Sequence, residues 1–202
     1  MGVKDMEIGK DMLLLIDMQR VYLPGKPWGC AGIERAVERI RLLLDRRAGG
    51  RLIFTRFLAD PAGENVWARY NSVNSEINED ASLNAVLPEF LPYIKSGEAE
   101  LVDKTAYSCF SVGRLREEAT ECTRAGGSIV LAGVVAECCV LSTFFQAVDM
   151  GCHLIYLRDA VAGISEETER AVLAVIEGLC PLHAEILTTE EYLARQTLGA
   201  AI

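Results

Sequence analysis

Ser128-Ile129-Val130-Leu131-Ala132-Gly133 gives way within a few residues to Cys139-Val140-Leu141-Ser142-Thr143-Phe144-Phe145-Gln146-Ala147, and the reading of this stretch decides the fold. The first run is short, apolar and β-branched, which reads as a buried strand. The second places apolar residues three and four apart, which reads as a helix. Cys139 stands at the junction. A thiol at a helix N-terminus faces backbone N–H groups without intrahelical partners and the positive end of the helix dipole, and both favour the thiolate. Cys139 is therefore a candidate nucleophile, set against the commoner fate of a free cysteine as a small buried hydrophobe.

Similar apolar runs recur on either side, at 12–17, 51–57, 99–103, 152–158 and 184–188. Between most of them lie helical patterns. One covers 33–44 and is stopped by Gly49-Gly50, and another covers 112–122 and is stopped by Gly126-Gly127. Ser165-Glu166-Glu167-Thr168 opens a third that Gly178 closes, and Thr189-Glu190-Glu191 starts a last short one. Alternation of this kind predicts an α/β fold, a parallel sheet with helices on both faces and right-handed crossovers, whose ligands sit at the carboxyl ends of the strands. Residues 58–98 break the rhythm, with Pro61, Pro88 and Pro92 and the polar run Asn71-Ser72-Val73-Asn74-Ser75. Because the sheet needs the strands on both sides of it, this segment reads as a lid or an interface loop. No repeat or composition shift marks a boundary, so one domain over 1–202 is expected.

With 202 residues, half of them hydrophobic, the chain can bury roughly 70% of its unfolded surface in one core. A net charge of −9 with scattered lysines and arginines argues against a nucleic-acid partner. Residues 1–6 show no apolar leader and the run at 12–16 is too short to span a bilayer, so no membrane partner and a cytoplasmic location are expected. Seven cysteines without CxxC spacing read as reduced thiols. His153 and His183 are the two histidines, and each lies by the start of a strand, away from the carboxyl ends. There is no phosphate-binding glycine fingerprint and no GxSxG elbow, so neither a nucleotide site nor a serine–histidine triad is legible.

A different base is needed, and two more runs end in ionisable residues: Leu13-Leu14-Leu15-Ile16-Asp17 and Glu100-Leu101-Val102-Asp103-Lys104. A carboxylate after four apolar residues is poorly solvated, which favours proton transfer, while a neighbouring ammonium would keep it ionised. The bland alternative is a strand-end Asp that caps a loop and a surface Lys.

Leu14-Leu15-Ile16-Asp17-Met18-Gln19, then Lys104 with Ser108-Cys109-Phe110, then Gly133-Val134-Val135-Ala136-Glu137-Cys138-Cys139-Val140-Leu141-Ser142-Thr143 together resemble the isochorismatase-like cysteine hydrolase superfamily, over roughly residues 11 to 190. The resemblance implies a three-layer α/β/α, Rossmann-like fold on a six-stranded parallel sheet, and a catalytic triad of Asp17, Lys104 and Cys139. It selects Cys139 over Cys138, since the nucleophile immediately precedes the Val of Val-x-x-Thr. It further implies a cis peptide at Val134-Val135 and an oxyanion hole formed by the N–H groups of Val135 and Cys139. Gln19, Trp67, Tyr70 and Phe110 are the candidate substrate-pocket residues, and a homo-oligomer is implied. The segment 83–94 is placed either against a partner or over its own sheet edge.

Two positions depart from the family pattern. Ala136 stands where many relatives carry Thr. More consequentially, the nicotinamidase branch holds a metal through Asp-x-His and a further His, whereas this chain reads Phe57-Leu58-Ala59-Asp60-Pro61-Ala62-Gly63-Glu64 after Arg56. Asp60 and Glu64 alone make a poor zinc site, so no metal and no cofactor are expected. The resulting expectation is a cysteine hydrolase cleaving a C–N bond of a small amide, carbamoyl or ureido substrate. The alternatives are isochorismatase-type vinyl ether hydrolysis, which does not use the cysteine, and a non-catalytic binding module on the same fold.

Overall fold

The structure, a computed structural model, describes residues 10–46, 48 and 50–199; the reading of residues 1–6 and the stop at Gly49 lie outside them. Six strands form one sheet: β1 (Met12–Ile16), β2 (Arg51–Phe57), β3 (Glu100–Lys104), β4 (Ile129–Val134), β5 (Leu154–Ala162) and β6 (Ala184–Leu187). Their order is β3-β2-β1-β4-β5-β6 and every pairing is parallel. The chain walks outward from β1 to β3, then returns to β4 on the other side of β1. That reversal opens a crevice at the carboxyl ends of β1 and β4, the topological switch point where such sheets bind ligands.

Helices cover both faces because the strands bury both. On β1, Leu13 and Leu15 face α1 (Ile33–Asp45) and α8 (Thr189–Gly199), while Met12, Leu14 and Ile16 face α5 (Gly113–Arg124), α6 (Leu141–Asp149) and α7 (Glu166–Glu177). The period of two along the strand thus produces the three layers. Among the described residues no helix is long and apolar enough to cross a membrane.

Residues 58–98 contain three short helices, α2 (Val66–Val73), α3 (Ser75–Glu79) and α4 (Leu91–Ser96), with a 3₁₀ turn at Pro88–Phe90. The second half of the segment covers its own sheet: Val86, Leu87 and Phe90 are buried in the α1-side core, and the Phe90 ring lies 5.0 Å from that of Phe54 on β2. It is also stitched to the loop after β1 by Leu87 N–H to the Met18 carbonyl and Arg20 N–H to the Ala85 carbonyl. The helices α2, α3 and α4 themselves bury no residue completely.

Close approach at the centre of the sheet requires one glycine. Gly133 on β4 has φ +111°, and a Cβ there would lie 2.2 Å from the Ile16 carbonyl oxygen. Any side chain would drive β4 away from the end of β1, where the next residue is Asp17.

Candidate active site

Asp17 follows β1 with φ +51°, a left-handed conformation that costs a non-glycine residue of order 1 kcal/mol and that Asp tolerates better than most. The turn carries its carboxylate toward the end of β3. Lys104 Nζ donates to Asp17 Oδ2 at 2.8 Å, and neither side chain has any exposed surface. The ammonium's other two donors go to the carbonyls of Ala106 and Tyr107, at 3.1 and 2.9 Å. A buried ammonium has three N–H groups to satisfy, and here all three are. Burial by itself pulls the Lys104 pKa down, but the facing Asp17 charge leads the opposing effects, which outweigh it and hold the pKa above its ordinary value.

Cys139 lies in a π-helical turn, Ala136–Val140, that leads from β4 into α6. The Val134–Val135 peptide before it is cis. The Val135 carbonyl accepts the N–H groups of Cys138 and Val140, on either side of Cys139, and the Cys139 carbonyl accepts the Thr143 hydroxyl at 2.7 Å. These bonds tie the turn to the strand below it and to the helix above it.

Cys139 is 3% exposed. Its pKa is pushed well above the ordinary value by its interaction with the neighbouring Cys138 thiol, by burial and by the Asp17 charge, with Lys104 opposing. Burial and the neighbouring groups thus oppose at Cys139 what the helix terminus favours. Cys138, half-buried beside it, is shifted the other way, first by the same interaction and further by Lys104.

The candidate pocket residues separate into two groups. Trp67 and Tyr70 join an aromatic cluster with Trp28, Phe57 and Tyr107: Trp67 lies 5.3 Å from Tyr70 and 5.1 Å from Tyr107, and Phe57 lies 6.1 to 6.5 Å from each of the other four rings. Lys104 Nζ is 5.4 Å from the Phe57 ring centre, so the cluster roofs the ion pair.

Gln19 and Phe110 take other roles. The Gln19 amide is buried and clamps backbone, donating to the Phe57 and Asn84 carbonyls, both at 3.0 Å, and accepting the Phe57 N–H at 2.9 Å. Its amide is saturated by peptide groups. The Phe110 side chain is fully buried in the core against α5 and α6, with no surface to offer a ligand. A shallow depression of about 330 Å³ adjoins the site, lined by Tyr107, Glu137, Cys138, Leu141, Ser142 and Phe145.

Several residues at the site have no signature in the sequence. Thr55, in the middle of β2, donates its hydroxyl to Asp17 Oδ1 at 2.8 Å, and Trp28, Phe57 and Tyr107 complete the roof. A hydroxyl closing the apolar run Leu52-Ile53-Phe54-Thr55 reads like any strand threonine.

The metal pattern of the nicotinamidase branch does not fit these residues. Asp60 Oδ1 accepts the Ala62 N–H in a surface turn, and among the described residues no group of three or more His, Cys, Asp or Glu side chains is placed to hold a metal ion. His153 meets Ser128 and Glu185 at the amino ends of the strands, opposite the site.

The family model described as Isochorismatase domain matches residues 11–191, which include all of these groups. The chain belongs to the isochorismatase family. Comparison with curated proteins returns no match. Among solved structures, a cysteine hydrolase from Pseudomonas syringae pv. phaseolicola superimposes with a TM-score of 0.77 at 21% identity, covering 95% of this chain and 93% of that one. An N-carbamoylsarcosine amidase from Thermoplasma acidophilum gives 0.66 at 18%, covering 89% and 96%. A pyrazinamidase of Pyrococcus horikoshii in complex with zinc gives 0.63 at 22%, covering 89% and 99%. At these identities the likeness is one of fold, and this isochorismatase-family chain shares it over most of its length.

Proposed function

We propose that this family member is a metal-independent cysteine hydrolase that cleaves a C–N bond of a small amide, carbamoyl or ureido compound through a thioester. The observation that carries the reading is the 2.8 Å Lys104–Asp17 pair, wholly removed from solvent and set beside the buried Cys139 thiol at the switch point of the sheet. A neutral thiol needs a base at the moment of attack, and Asp17 is the carboxylate whose charge it feels. Asp17 takes the proton as the sulfur attacks the carbonyl carbon. The N–H groups of Val135 and Cys139 receive the oxyanion, and Asp17 returns the proton to the departing amine. Lys104 keeps Asp17 ionised and offsets the developing negative charge. Water then hydrolyses the thioester, with Asp17 again as base.

The half-buried aromatic cluster supports a small, planar substrate, since rings offer apolar faces and leave polar recognition to the few groups beneath them. Two of the three solved structures compared above are amidases by name, which agrees with C–N chemistry. The test is an ammonia-release screen over primary amides, ureas and carbamoyl compounds, with Asp17→Asn as the control. Turnover that depends on Asp17 supports the reading, and turnover that is indifferent to it overturns the mechanism.

A further inference from the structure

We infer that Thr55, with Cys109 behind it, is a positioning residue that locks the Asp17 carboxylate as a hydrogen-bond acceptor facing the nucleophile. The inference rests on the reading of Asp17 as the base and adds the device that aims it.

Thr55 is fully buried, and its Oγ1 has three neighbours. It accepts the Asp17 N–H at 3.3 Å, a donor it shares with the Thr55 carbonyl at 3.2 Å, and the Cys109 S–H at 3.8 Å, and it donates to Asp17 Oδ1 at 2.8 Å. A hydroxyl has two lone pairs and one proton. With both lone pairs facing donors, the proton is left one direction, toward Asp17. Oδ1 is thereby held as an acceptor, as Lys104 holds Oδ2. The proton leaving Cys139 must then arrive at a carboxylate lone pair that neither Thr55 nor Lys104 occupies.

Cys109 connects this lock to the nucleophile. Its N–H donates to Thr143 Oγ1 at 3.0 Å, and Thr143 donates to the Cys139 carbonyl at 2.7 Å. One chain of contacts thus runs from the Asp17 carboxylate through Thr55, Cys109 and Thr143 to the backbone of Cys139, spanning β1, β2, the turn after β3 and α6. It fixes base and nucleophile relative to each other without either touching solvent. Burial pushes the Cys109 thiol up, so it stays a neutral donor.

Loss of the Thr55 hydroxyl removes a hydrogen bond from the ionised form of Asp17, so protonation of Asp17 becomes easier. The other groups facing Asp17 are the Lys104 ammonium, the Cys109 and Cys139 thiols and the Tyr22 phenol. All four of these are shifted upward, away from the acid range.

The experiment measures alkylation of Cys139 by iodoacetamide from about pH 4 to about pH 9, read by mass spectrometry in a Cys138→Ser background so that one thiol reports. The expected parent profile falls on the acid side through a step that Asp17→Asn abolishes. In Thr55→Val that step moves to higher pH by about one unit and the plateau rate drops roughly tenfold, while Thr55→Ser restores both. Cys109→Ala gives a smaller shift of the same sign, and it carries the test alone if Thr55→Val does not fold. A step that is present in the parent and unmoved in the variants overturns the inference and leaves the Asp17 mechanism standing. A parent profile without an Asp17-dependent step overturns both.

Discussion

At the amino end of β3, Glu100 pairs with Arg51 at 2.9 Å and with Arg114 at 2.5 Å, and its side chain is 39% exposed; at the carboxyl end, Lys104 pairs with Asp17 at 2.8 Å, and both side chains are 0% exposed. The contact distances are alike, and the surroundings are opposite. The outer network lies in water, where Coulomb attraction is screened and each long side chain loses entropy in holding its geometry. The inner pair has lost its hydration and persists because every N–H of the ammonium is used. Such a pair is a poor way to gain stability. It is a good way to keep a carboxylate ionised in a dry crevice, which is what proton abstraction from a neutral thiol demands.

The comparison is tested hardest by removing one member of the inner pair. Asp17→Asn and Lys104→Ala are each expected to lower turnover by about two orders of magnitude or more. Lys104→Ala should also cost roughly 3–5 kcal/mol of unfolding free energy, because it leaves Asp17 buried without its cation. Denaturant titration beside the kinetic assay checks both, and near wild-type behaviour in either would equate the inner pair with the outer one.

At the outer end, Glu100→Gln is expected to cost about 0.5 kcal/mol or less and to leave turnover unchanged. Arg114 and Arg51 hold the Glu100 carboxyl below its ordinary pKa. A depressed folded pKa contributes stability above the unfolded value and loses it as pH falls through the folded value. The small difference between wild type and Glu100→Gln should therefore be present at neutral pH and vanish in the acid range below about 4.3. A difference that persists or grows there would contradict the assignment. The smallest expected effect is that of chelation. Exhaustive EDTA treatment should leave turnover unchanged, because residues 57–67 contain no histidine and Asp60 is engaged in its own turn. Loss of turnover restored by a divalent ion would make Asp60 a ligand after all.

The two ends of β3 also show what a sequence can reveal. The six strands were legible because buried parallel strands are short apolar runs with little else in them, and their observed limits lie within a few residues of those runs. Asp17, Lys104 and Cys139 stood out because each ionisable or nucleophilic group follows or closes such a run. What could not be read was partnership across the sheet. Nothing local distinguishes Thr55 from an ordinary strand threonine, or tells that the Gln19 amide meets peptide groups instead of a ligand. The roof is illegible for the same reason, since Trp28, Phe57, Trp67 and Tyr107 come from four separate parts of the chain. The surroundings of Cys139 were only half legible, because helix position is local, whereas burial and the Cys138 interaction appear only in the folded chain.

The central claim, that Cys139 is the nucleophile, is tested most directly by comparing turnover of Cys139→Ser and Cys138→Ser on the same amide substrate, with mass spectrometry locating any trapped acyl group. Alkylation speed alone is a poor guide, because Cys138 is more exposed and more easily ionised. The account predicts no turnover above background in Cys139→Ser, most of the activity retained in Cys138→Ser, and the acyl adduct on Cys139. An adduct on Cys138, or full activity in Cys139→Ser, would contradict it.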